Sequence, residues 1–354
     1  MYQKEDIAVM INGFEKTGHL SQLFSVEEMR LCGGKGDGMR ILQMKNGKGL
    51  MATFVPDRCL DLYRLEYKGI NLGFFSPAGY VAPAYYNKDE FLRSFTAGFF
   101  TTCGLDNAGA PSVDNGEECV MHGRIGNVPC EQLCYNADYS GDHPVMTASG
   151  DVREGAVFAE KMSLHREIKM ENNPIYITDT VTNESGLTQP SMQLYHMNMG
   201  YPLLDEGVEL LIPAKNTLPR DKRAAEGIDE WDYFPAPTPG FDEQCYYHRL
   251  GVKDGKTAVA IYNKGLGVGV KISFNADTLN HFTQWKMPGT RDYVLGLEPA
   301  NCRVEGRDNM RKIGRLKELA PFESVTFRLA IDIIDGDEQA EAVRQEIYAL
   351  KQAD

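Results

Sequence analysis

Apolar and polar residues alternate with a period of two in segment after segment of this chain, the pattern of a pleated strand with one buried face. In residues 323–334, Val325, Phe327, Leu329, Ile331 and Ile333 fall on one side, with Thr326, Arg328 and Asp332 on the other. Val268, Val270, Ile272 and Phe274 repeat the pattern, and Ile175, Ile177 and Val181 alternate with Tyr176, Thr178 and Thr180. Residues 39–56 read as strand, turn and strand, the turn being Asn46-Gly47-Lys48-Gly49. Residues 60–67 add a further strand.

Helical periodicity is scarce. Val343, Ile347 and Leu350 share one face of a C-terminal helix at about 335–354, with Asp335 or Asp337 as its cap. A short helix is expected near 26–31. Strands do not alternate with helices, and no G-x-G-x-x-G opens a helix; Gly33, Gly34, Gly36 and Gly38 precede a strand and read as a turn, not a phosphate cradle. The expected fold is mainly β: one domain over 1–354, a large twisted antiparallel β-sandwich with few short helices and the C-terminal helix. Residues 213–240, interrupted by prolines and mixed with charge, are expected to run as a long excursion over one face of a sheet, as a lid or as a plain surface loop.

With 37 Lys and Arg against 50 Asp and Glu, the formal charge is −13, which argues against partners that need a basic stripe, nucleic acid and anionic membrane. No apolar run reaches the length of a membrane-spanning helix. The first twenty residues lack a basic segment followed by a long apolar one, so a cytoplasmic address is expected, with free thiols at the eight cysteines. The C-x₃-C of Cys130 and Cys134 has no second pair at metal-site spacing, and no metal is expected. Exposed edge strands leave a homodimer open.

Three segments place an ionisable side chain among apolar or small residues near a strand end: Met121-His122-Gly123-Arg124-Ile125, Leu194-Tyr195-His196-Met197-Asn198-Met199-Gly200, and Gly296-Leu297-Glu298-Pro299-Ala300-Asn301. Desolvation there moves a histidine or carboxylate pKa toward neutrality, so a matched pair can act as base and acid at one centre. Singly, each is more often a hydrogen-bonded structural histidine or a strand-ending Glu than a functional group.

As a set, His122 in MHGRIGN, His196 in LYHMNMG and Glu298 in GLEP resemble the galactose-mutarotase-like (aldose 1-epimerase) superfamily in order and spacing. The segments VPDRCLDL, TTCGLDNAG, HGRIGN, YHMNMGYPLLDEG, EQCYYH and QWKMPGTRDYVLGLEPANC resemble a bacterial branch of aldose-1-epimerase-family proteins over about residues 55–302. The resemblance implies a cofactor-free isomerase acting on a small-molecule carbohydrate. Glu298 would take the proton of the C1 hydroxyl, His196 would protonate the ring oxygen, and His122 would steady the charge on that side.

Two departures bear on substrate contacts. Galactose mutarotases follow the second histidine with an aromatic-Asn-Leu stretch, where this chain has Met197-Asn198-Met199-Gly200. Their early Asn-Arg-Ile is replaced by Thr101-Thr102-Cys103-Gly104-Leu105-Asp106-Asn107, without arginine. Substitute contacts are sought in Arg58, Asn107, Arg124 and Asn198, with Trp285 and Lys286 just ahead of Glu298; a salt bridge of Arg58 with Asp57 or Asp61 is the plain structural alternative. Tyr85 and Tyr86 could line a rim, and His248 is the one other histidine of interest. A non-catalytic carbohydrate-binding protein, or an isomerase, epimerase or lyase acting at another sugar carbon, are the competing readings. The shortage of Arg and Lys near the motifs favours a neutral sugar.

Overall fold

The computed structural model describes residues 15–138 and 143–353. Most of the N-terminal stretch just considered lies outside them. Two antiparallel sheets dominate. The larger runs, in spatial order, through Glu131–Asp138, Val145–Gly155, Lys161–Glu171, Ile175–Asn183, Ser324–Asp335, Val268–Asn275, Lys256–Asn263 and Glu209–Leu211. The second runs through Ala214–Pro219, Gln244–Leu250, His281–Pro288, Tyr293–Ala300, Met192–Gly200 and Phe100–Leu105. A five-stranded N-terminal sheet, which includes the hairpin Arg40–Lys45 and Leu50–Val55, packs on both.

The period-two pattern decides which side each strand buries. Phe327, Leu329, Ile331 and Ile333 meet Val270, Ile272 and Phe274 in one core, closed from the six-stranded side by Phe100, Tyr195, Met197, Met199, Phe282, Leu295 and Leu297. The C-terminal helix Asp337–Gln352 covers the opposite face of the larger sheet, setting Ala340, Val343, Ile347 and Leu350 on Ala258, Ala260 and Tyr262.

One buried ionic knot ties the three sheets together. Arg166, from the eight-stranded sheet, binds Asp179 through Nε at 2.8 Å and Nη2 at 2.6 Å, and Asp61 of the N-terminal sheet through Nη1 at 2.7 Å. Its Nη2 also donates to Thr102 Oγ1, and Tyr195 Oη donates to Asp179, which brings in the six-stranded sheet. A buried guanidinium is tolerable only with its donors so matched.

Two local expectations are corrected and a third is made specific. Residues 26–31 form no helix: Ser25–Arg30 is an edge strand paired with Arg40–Lys45, because sheet pairing outweighs local helix propensity. The C-terminal helix is capped by Gly336 at φ 85°, a left-handed turn suited to glycine, while Asp337 binds Tyr262 Oη and Asp335 binds Tyr67 and Lys68. The excursion at 213–240 begins as the edge strand Ala214–Pro219. Its later part, at Glu230, Trp231 and Pro235, lies over the inner face of the six-stranded sheet, where Gln284 Nε2 donates to the Trp231 carbonyl and Tyr293 Oη to the Pro235 carbonyl.

Candidate functional site

The outer face of the six-stranded sheet carries a row of polar side chains, one from each of five neighbouring strands. The register opposes Thr101 to His196, Glu298 to Thr283, and Thr283 to Tyr247. Leu194 opposite Ala300 and Met197 opposite Leu297 fix the same register between the two central strands, so His196 and Glu298 face each other. Met192–Gly200 and Tyr293–Ala300 are buried throughout, since loops and short helices cover this outer face. His196, Glu298, Thr101, Thr283 and Tyr247 are all buried.

His196 and Glu298 are 6% and 2% exposed. His196 Nε2 lies 3.3 Å from Glu298 Oε1, short of hydrogen-bond geometry, and Oε1 has no hydrogen-bond partner among the described residues. The carboxylate has room because the residue two before it on the same face is Gly296: a Cβ there would lie 2.5 Å from Oε1. Burial raises the Glu298 pKa well above the ordinary carboxylate range, with the Glu243 charge adding and Arg220 opposing. Burial lowers His196 to about 4, against the pull of its hydrogen bond to Asn198. Both shifts favour the neutral pair.

Asn198 fixes which nitrogen of His196 faces Glu298. Its Nδ2 donates to the carbonyls of Gly98 and His196, at 3.1 and 2.8 Å, so Oδ1 is left to meet His196 Nδ1 at 2.7 Å. Nδ1 therefore carries a proton and Nε2 is the nitrogen that exchanges one. His122 has the opposite arrangement. The Gly109 N–H donates to its Nδ1 at 3.3 Å, which leaves Nε2–H as a donor. Burial beside His196 lowers His122 to about 3 and keeps it neutral. Gly123 makes this turn possible: at φ 69°, a Cβ would lie 2.0 Å from the Gly104 carbonyl oxygen.

Aromatic rings wall the pair. Phe95, His122 and Trp285 each place a ring centroid 5.3 Å from that of His196, and Phe91 packs on His122. A cleft of about 440 Å³ borders His122 through Phe91 and Met121. Trp285, half-buried, is held by Nε1 donating to Glu243 Oε2 at 2.8 Å. Glu243 is held in turn by Arg220 Nη2 at 3.0 Å. The same guanidinium donates through Nε to Asp221 and through Nη1 to Cys245 Sγ.

The structure thus brings together His122, His196, Glu298, Asn198 and Trp285. It separates the others. Lys286 follows Trp285 in a strand, so it points to the inner face, where Nζ donates to the Glu230 carbonyl at 2.6 Å. Asn107 is fully buried in a loop knot, donating to Ala110 and Val120 and accepting from Arg307 N. Arg58 is buried and donates to the Val81 carbonyl; Asp57 pairs with Arg40 and Asp61 with Arg166, so neither forms the salt bridge considered for Arg58. Arg124 reaches Asp106 at 3.4 Å and stays partly exposed. Tyr85 is exposed. His248 lies on the inner face against Gln284 and Trp231. Arg220, Glu243, Thr283, Phe91 and Phe95 were not singled out by sequence. Only Thr283 carried a signal, two residues before Trp285 on one strand.

The family described as a domain of unknown function (DUF4432) matches residues 36–333. No curated protein matches the chain in sequence. A candidate aldose 1-epimerase from Klebsiella pneumoniae subsp. pneumoniae is similar in structure at a TM-score of 0.88 and 28% identity, over 94% of this chain and 90% of its own. A galactose mutarotase-like protein from Clostridium acetobutylicum (TM-score 0.60, 13% identity, 89% and 99% covered) and a galactose 1-epimerase from Lactobacillus acidophilus (0.59, 12%, 89% and 100%) share the fold.

Proposed function

This chain belongs to the family of the domain of unknown function DUF4432, and on that premise we propose that it is an aldose 1-epimerase, interconverting the α and β anomers of a free sugar. The observation that carries the proposal is the facing pair of Glu298 and His196, two buried groups 3.3 Å apart whose neutral forms have one exchangeable proton between them. The similarity to the Klebsiella pneumoniae protein supports it.

Carboxylate plus imidazolium and carboxylic acid plus imidazole contain the same number of protons. Ring opening converts the first form into the second. Glu298 takes the proton of the C1 hydroxyl while His196 Nε2 gives one to the ring oxygen. The C1–O5 bond breaks, its electron pair goes to O5, and O1 becomes the aldehyde oxygen. Rotation about C1–C2 and reclosure from the other face reverse both transfers, with no net proton gained or lost. Burial favours the neutral pair, the form that accompanies the open chain, so the pair must first pass its proton from Glu298 to His196 Nε2 before the closed ring can be opened by these transfers. His122 Nε2–H serves as a neutral donor on the ring-oxygen side, and Trp285 is the apolar platform for the sugar ring. These transfers need no cofactor.

Anomer exchange followed by NMR across hexoses, pentoses, deoxy-sugars and uronic acids tests the reading. Acceleration by wild type and its loss in Glu298→Gln is the expected result. A folded protein that binds sugars but accelerates none would instead identify a binding protein.

A further inference from the structure

We infer that Thr283 reads the substituent on the sugar carbon next to C1, so that the preferred substrate carries a hydroxyl there. The inference rests on the mutarotase reading and deepens it. Thr283 is directly opposite Glu298 on the strand away from His196. Side chains so opposed have Cβ atoms about 5 Å apart and project from the same face. Thr283 is 1% exposed, and its Oγ1 has no hydrogen-bond partner among the described residues. Glu298 Oε1, on the neighbouring strand of the same face and 3.3 Å from His196 Nε2, has none either.

A buried hydroxyl without a partner costs stability, and a strand offers Thr either a partner or a harmless replacement by valine. Two orphaned atoms from cross-strand neighbours on one face of the sheet point to a ligand that satisfies both. The order of the row then assigns the contact. Ring opening sets O5 at His196 and O1 at Glu298. Besides its hydrogen, C1 bears only one other neighbour, C2. With O5 directed toward the His196 strand, C2 and its substituent are directed toward the strand on the far side of Glu298, which carries Thr283. Tyr247, next in the row, stands about two strand spacings, near 10 Å, from Glu298, beyond reach of that substituent.

The test compares the aldose that wild type turns over fastest with its 2-deoxy counterpart, such as glucose with 2-deoxyglucose or galactose with 2-deoxygalactose. Wild type is expected to favour the 2-hydroxy sugar about tenfold in kcat/KM, the effect of one hydrogen bond. Thr283→Val is expected to bring that ratio close to one without lowering Tm, and Thr283→Ser to restore it. An unchanged ratio in Thr283→Val, with wild type active, would overturn the inference and leave the mutarotase reading standing. An equal loss on both sugars together with a lower Tm would mark Thr283 as structural and also overturn it. Wild type that accelerates no sugar would remove both.

Discussion

His196 presents Nε2 to Glu298 Oε1 at 3.3 Å because Asn198 takes its Nδ1 at 2.7 Å. Three residues on two neighbouring strands thereby settle which nitrogen can exchange a proton with the carboxylate. The Asn198 amide has no freedom to turn, since both its N–H groups are spent on backbone carbonyls.

Replacing Asn198 with Ala should therefore act on chemistry and on stability. The freed imidazole loses its fixed tautomer, and kcat should fall about tenfold to a hundredfold, part of a full acid–base contribution. Two buried carbonyls lose donors, costing about 1–3 kcal/mol by urea unfolding. Asn198→Asp should instead move the acid limb of the rate profile to higher pH, since a carboxylate on Nδ1 favours imidazolium. An unmoved limb would contradict the role given to Asn198.

Gly296→Ala should damage the site through space alone. The new Cβ would lie 2.5 Å from Glu298 Oε1 and 2.8 Å from the Trp285 Cβ, so the carboxylate must swing away. A loss of about 1–3 kcal/mol in stability is expected from the overpacking, with kcat falling further than that alone requires. Steady-state kinetics beside thermal unfolding separate the two effects. Full activity would mean that Glu298 has another working rotamer.

Arg166→Met should be among the most destabilising single changes in the protein. It leaves Asp61 and Asp179 buried without their shared cation, a cost of about 3–5 kcal/mol measured by urea denaturation. Its effect should reach the site, because Thr102 and Tyr195 stand directly behind Thr101 and His196 in their strands. A cost below about 1 kcal/mol would show that the knot is dispensable.

Acid should weaken the fold before most carboxylates titrate. His122 is lowered to about 3, and His196, His248 and His281 to about 4, each chiefly by burial, whereas unfolded histidine titrates near 6.5. Between those values the unfolded chain binds more protons than the folded one. Stability is then full above about 6.5 and declines as pH falls toward 4. Glu298, raised by burial, acts in the opposite sense and loses its contribution as pH rises through its folded pKa. Tm measured from pH 7.5 to 4 should fall along the histidine window; a flat profile would contradict the burial of these rings. The acid limb of kcat/KM should lie closer to 4 than to 6.5, with apparent values that belong to the coupled pair.

Much of this was legible in the sequence, for identifiable reasons. The alternation at 268–275 and 324–335 is a direct consequence of one-sided burial, so strands and core could be read from it. That Glu298, His196 and His122 come together was expected from the resemblance carried by their three segments as a set. The same alternation argues against Trp285 and Lys286 sharing a face, since consecutive strand residues point oppositely. Arg58 and Asn107 are loop residues whose partners, Val81 and Arg307, lie far along the chain, and no local pattern announces such contacts. Arg220 and Glu243 meet Trp285 only through the pairing of strands that bring 220, 245 and 285 together. The strand at 25–30 was missed because its identity depends on a partner and not on its own periodicity.

The most direct test of the account is anomer exchange by NMR, with wild type, Glu298→Gln and His196→Asn compared on the sugar wild type handles best. The account predicts acceleration by wild type, its loss in Glu298→Gln, and a nearly equal loss in His196→Asn, all with unchanged near-UV circular dichroism. Wild-type turnover in Glu298→Gln would contradict the assignment of Glu298 as the base and, with it, the shared-proton mechanism.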